Sequence, residues 1–257
     1  MSSELDPTVD ARQVARELLE GRPATSGVRK VKSALEDLAQ QGDVEAQNLL
    51  GAIELEIEKK PERARHWFEM TAAKGDPAGQ RSLGHLYAIG IGVKSDMPRA
   101  VELFRAAATG GDAFAMYNLA MANIDAEGEY LTFDETLSLL EKSADGGVVQ
   151  AEAKIGDLLA QVDRDSEALN WYVKAASHGH TGAMNAAACW FRDGTAGEAD
   201  PVQAVRWFLS MLDNGNGDGI HQAIELARTM TNEQIREAAR LAGRTDEGEA
   251  LILTVAR

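Results

Sequence analysis

Apolar side chains recur along this chain at steps of three and four, the spacing of one helix face, and the whole pattern returns as a block. One block shows it fully. Gly79, Leu83, Gly84, Leu86 and Tyr87 form a first stripe, and Ala100, Leu103, Phe104, Ala107 and Ala108 form a second. Asp76-Pro77 predicts the start of the first helix, with aspartate capping and proline at the first helical position. Gly90-Ile91-Gly92-Val93 ends it, because glycine takes left-handed backbone angles cheaply. Asp96, before Met97-Pro98, caps the second helix.

The block is framed by Gly42, Gly75, Gly111, Gly147, Gly179 and Gly215, at steps of 33, 36, 36, 32 and 36 residues. Four residues after each glycine stands a small side chain: Ala46, Gly79, Ala115, Ala151, Ala183, Gly219. Nine after it come Gly51, Gly84, Ala120, Gly156 and Ala188, with Ile224 the exception. Bulky pairs precede each later glycine: Trp67-Phe68, Leu103-Phe104, Leu139-Leu140, Trp171-Tyr172 and Trp207-Phe208. Self-similarity at this period predicts stacked helical hairpins, each burying its apolar face against the next and sharing no single globular centre.

The run Leu83-Gly84-His85-Leu86-Tyr87-Ala88-Ile89-Gly90-Ile91-Gly92-Val93, then Asp96, Ala100, Phe104, Ala107-Ala108 and Gly111, resembles the Sel1-like repeat, a relative of the tetratricopeptide hairpins. The frame covers roughly residues 31 to 228. Two units depart from it, with Asp125 to Tyr130 and Asp163-Arg164-Asp165 in place of the glycine turn. The resemblance implies an all-α fold, a right-handed superhelical solenoid of two-helix repeats, used for protein contacts and usually without catalysis. Secreted relatives carry a disulfide in each repeat; the cysteines for that are missing here.

The chain divides on this reading into an N-terminal helix and hinge (1–27), the repeat array (28–228) and C-terminal capping helices (229–257). Residues 7 to 20 read as a separate amphipathic helix folding over the first repeat, with a hinge from Arg22 to Gly27. Thr231-Asn232-Glu233-Gln234 reads as a capping box opening a helix to about Ala242, with a last helix from about Asp246 to Ala256.

Charge changes what the array can hold. Lys and Arg total 26 against 41 Asp and Glu, a formal charge of −15, which repels phosphate backbones and favours a basic partner as well as solubility. The start, Met1 to Asp6, lacks the basic and apolar stretches of a secretory signal, and no apolar run is long enough to span a bilayer. One cysteine, Cys189, excludes an internal disulfide, so a cytoplasmic location is expected. Neither membrane nor nucleic acid is an expected partner. A monomer is expected, with self-association as an alternative.

In each first helix, positions three, six and ten after the glycine lie opposite the buried stripe and are expected to line the inner wall. They include Arg81 and His85; Phe114, Tyr117 and Met121; Asp157; and Asn185. Phe114, Tyr117 and Met121 form an aromatic–methionine stripe with the composition of a partner-contact hot spot, or else they pack between neighbouring hairpins. The expected function is a non-catalytic scaffold or regulator. Those three residues would anchor a partner peptide or helix, with Arg81, His85, Asp157 and Asn185 setting specificity. A self-associating structural array and a small-ligand sensor are the alternatives.

Other motifs have plainer structural explanations. Asn214, Asn216, Asp218 and Glu225 resemble a calcium loop, but a repeat turn and helix explain them as well. His178, His180 and Cys189 match no zinc spacing and lack a fourth ligand. No catalytic constellation or phosphate loop is present, and no metal or cofactor is expected.

Overall fold

A computed structural model describes residues 10–22 and 27–256, and among these every regular element is helical. The chain falls into two compact units, Met1–Leu139 and Leu140–Arg257. The start of the N-terminal helix at residues 7–9 and most of the hinge, Pro23 to Ser26, lie outside the described residues.

The first unit holds α1 (Ala11–Leu19), α2 (Val28–Gln40), α3 (Val44–Ala52), α4 (Pro61–Ala73), α5 (Pro77–Ile89), α6 (Met97–Thr109), α7 (Ala113–Asp125) and the start of α8 (Phe133–Asp145). Asp43, Asp76, Asp96 and Asp112 cap the helices they precede, each accepting from a first-turn N–H that has no partner inside the helix. The turn after α5 forms as expected, with Gly90 left-handed at φ 73°.

Packing follows the frame. Leu35, Leu50 and Ile53 are buried with Val14 and Ala15 of α1; Phe68, Leu83, Leu86 and Leu103 form a further cluster; Val101, Phe104 and Leu119 form another. The core is thus a succession of local clusters. At Gly51 and Gly84, the small residue nine places after the repeat glycine makes room for an aromatic ring on the second helix of the same hairpin. A methyl group added at Gly84 would lie 2.8 Å from Phe104, and one at Gly51 would lie 2.5 Å from Phe68.

Consecutive hairpins are also pinned by polar bonds. Arg12 reaches Asp43 (2.9 Å), Asn48 reaches Asp76 (2.7 Å) and Arg81 reaches Asp112 (3.0 Å). Each aspartate therefore both caps its own helix and holds a side chain of the hairpin before it. Through Arg12, α1 makes the contact that a preceding repeat would make.

Two features depart from the glycine-turn pattern. Beyond α3 the chain continues as a π-turn, Ile53–Ile57, tied to α2 by Lys32, which bonds Glu54 (2.6 Å) and Glu58 (3.1 Å). After α7, Glu127 and Gly128 take the left-handed angles, and the buried Asn123 ties the turn together. Its carbonyl accepts from the N–H groups of Tyr130 (2.8 Å) and Leu131 (2.7 Å), and its amide donates to Leu131 O (3.1 Å) and Thr136 Oγ1 (2.9 Å). That uses its full hydrogen-bonding capacity.

The second unit contains the rest of α8, then α9 (Val149–Ala160), α10 (Asp165–Ser177), α11 (Thr181–Asp193), α12 (Pro201–Ser210), a 3₁₀ turn at Met211–Asn214, α13 (Gly219–Ala227), α14 (Asn232–Ala242) and α15 (Thr245–Val255). The same fit recurs, since a methyl at Gly156 would lie 2.6 Å from the Tyr172 ring. Both halves of the capping box at Thr231 and Gln234 are formed. The helices α14 and α15 close the unit through Ile235, Ala238, Ala239, Leu251 and Ile252.

The residues of the weaker motifs have structural work. His180 caps α11, its Nδ1 accepting from Ala183 N–H at 3.0 Å, and His178 bonds the buried Glu152 at 2.7 Å. Asn214 donates to Gly179 O, and Asn216 accepts from Asp218 N–H. Helix α13 starts at Gly219, within the stretch that a calcium loop would need. No described helix is long and apolar enough to cross a membrane.

Candidate functional site

One recess of the first unit is built by the end of α3 and the π-turn after it, with α4, the middle of α5 and the first half of α7. It is an open cavity of about 300 Å³ whose walls include Leu55, Phe68, Arg81, His85, Phe114 and Asn118. Phe114 stands in the first turn of α7 and is 54% exposed, a large apolar surface held in water. Arg81 sits 5.5 Å from its ring centroid while bonding Asp112, so the guanidinium is fixed by a stacked ring and a carboxylate together. His85, one helical turn further along α5, is exposed.

The expected inner-wall residues thus separate into groups. Arg81, His85 and Phe114 come together around one cavity. Tyr117 and Met121 continue along α7 but are partly buried, and they do not line that cavity. In the second unit, Asp157 accepts from Tyr172 Oη (3.0 Å) and Lys154 (2.7 Å), and Asn185 is exposed. Burial, then the Asp157 charge, pushes the Tyr172 phenol well above its ordinary pKa, so it remains a hydrogen-bond donor at all physiological pH.

Leu55, Glu56 and Asn118 were not among the expected wall residues. The first two lie on the π-turn, which carries the chain past the point where the next unit turns on Gly90. The one hint is compositional: Ile53-Glu54-Leu55-Glu56-Ile57 stands where the next unit has Leu86 to Gly90.

The Sel1 repeat family profile matches at residues 44–76, 77–112, 113–148, 155–180 and 181–216, more than half of the chain. The chain belongs to the Sel1 repeat family. Among solved structures, it is similar to a protective antigen present in uropathogenic Escherichia coli strains that displays an SLR fold. That likeness has a TM-score of 0.75 and 26% identity, over 96% of this chain and 54% of the antigen. The chain therefore spans about half the length of that relative. A Sel1 repeat protein from Oxalobacter formigenes shares the fold at TM-score 0.66 and 22% identity, over 97% of this chain and 98% of its own. Sel1 repeat proteins are generally scaffolds for protein–protein interaction, and generally non-catalytic. The fold is the all-α repeat solenoid of this family.

Proposed function

We propose that this Sel1 repeat protein is a cytoplasmic, non-catalytic adaptor that binds a peptide or helix of a partner protein on the inner face of its hairpins. The observation that carries the reading is Phe114, more than half exposed beside a cavity, with Arg81 held against it and His85 nearby. Exposed aromatics next to a fixed arginine are the composition of interface hot spots. Tyr117 and Met121 continue along α7 from Phe114, and within the second unit Asp157 and Asn185 would be the polar contacts of its own inner face. The unpaired Cys189 suits a reducing compartment.

The test is affinity capture with the intact protein beside a Phe114/Tyr117/Met121 triple alanine variant, with melting temperature measured on both. The reading expects a specific partner on the intact protein and its loss from a variant that still melts normally. A variant that keeps the partner refutes it. A variant that loses several degrees of melting temperature assigns Tyr117 and Met121 to packing, and Phe114→Ala alone then decides.

A further inference from the structure

A second cavity, also about 300 Å³, adjoins the first and is bounded by Pro61, Ile89 and Ile91. Leu55, Glu56 and His85 line both cavities and so form the wall between them. The exposed apolar surface is continuous in kind: Phe114 (54%) at the first cavity, Ile89 (49%) and Ile91 (41%) at the second. The charges around the two cavities are uneven, with Arg81 at the first and Glu56 on the shared wall. Arg81 is neutralised by Asp112, whereas the exposed Glu56 carboxylate takes no hydrogen bond or ion pair among the described residues. Lys59 borders the second cavity alone.

We propose that the paired cavity receives one amphipathic segment of a partner protein, whose two apolar side chains flank a lysine or arginine. This rests on the inner-face reading above and specifies its ligand. One apolar side chain would cover Phe114 and Leu55, the other Ile89 and Ile91, and the cation between them would meet Glu56. The chain's charge of −15 adds a long-range field that draws a cationic segment and disfavours a second copy of this chain as occupant. On a helix, residues at i, i+3 and i+4 share a face, so the sequence Leu-x-x-Lys-Leu carries the required triplet.

The test uses the full chain and three labelled alanine–glutamine host peptides: one with Leu-x-x-Lys-Leu, one with glutamate for the lysine, one with alanine for both leucines. Binding is followed by fluorescence anisotropy. The lysine peptide is expected to bind about fivefold tighter than the glutamate peptide, as one partly desolvated charge contact allows, and the leucine-free peptide not at all. Glu56→Gln is expected to bring the lysine-to-glutamate ratio close to one, and Ile89→Glu to abolish binding. Both residues are exposed, so a circular dichroism spectrum suffices to show that the variants fold. Absence of binding, equal affinity for the lysine and glutamate peptides, or an unchanged ratio in Glu56→Gln overturns the proposal. So does a concentration-dependent dimer that Ile89→Glu dissolves, since a second copy would then cover the groove. If the peptides fail while the triple alanine variant still loses its partner, only the groove assignment falls.

Discussion

Gly84→Ala tests the packing logic of the whole array. In an ordinary helix interior this change stabilises by about 1 kcal/mol, because alanine orders more cheaply than glycine. Here the added methyl would lie 2.8 and 2.9 Å from Phe104 ring carbons and 3.2 Å from Leu103 Cβ. Phe104 is 3% exposed and Leu103 8%, so neither can swing into solvent. Forcing an extra methyl into a filled core costs about 1–3 kcal/mol, which outweighs the helical gain and leaves a net loss of about 1 kcal/mol. For a chain of this length that is roughly 2–4 °C in melting temperature. Phe104→Leu alone should also destabilise, by about 1–2 kcal/mol, through the space it leaves. The double variant puts at these two places the residue types that the sequence frame carries one unit later, Ala120 and Leu140, and should recover about 1 kcal/mol relative to the sum of the singles. Urea unfolding followed by circular dichroism and tryptophan fluorescence, with coincident transitions, gives the four free energies. A Gly84→Ala protein as stable as the parent, or a cycle that is strictly additive, would refute the small-against-bulky account.

Two further predictions concern polar contacts. Lys60 foremost and then Lys32 hold the Glu58 carboxyl down to about 2, so its contribution to stability is present above the ordinary carboxylate range near 4.3 and is lost as pH falls through about 2. Glu58→Gln should therefore unfold at lower urea than the parent at pH 7, with the two midpoints converging toward pH 2; a constant gap would contradict this. Asn123→Ala strands the N–H groups of Tyr130 and Leu131 and should cost about 2–3 kcal/mol by thermal denaturation, with faster amide exchange confined to the turn between α7 and α8.

What was legible in the sequence follows from how repeats bury surface. Each hairpin packs mainly on its neighbours, so the residues that meet recur at a constant separation, and a period is visible without coordinates. Gly84 and Phe104 announce their contact twice, by position in the frame and by complementary size. The capping box at Thr231 and the aspartate caps are equally local, because a cap bonds an N–H only two or three residues away. The inner-wall register also placed Arg81, His85 and Phe114 on one side.

Their meeting around one cavity was decided by tertiary structure. Asn48 and Arg81 hold the same place in the frame, yet only their bonds to Asp76 and Asp112 show that this place joins consecutive hairpins. The π-turn that brings Leu55 and Glu56 to the wall carries no period, since one lengthened turn in a single repeat has nothing to recur against. Asn123 holds its turn by side-chain hydrogen bonds that exist only once the turn has closed. Periodic contacts can be read from the chain because they are copied; single contacts cannot, because their partners are fixed by the three-dimensional path of one hairpin alone.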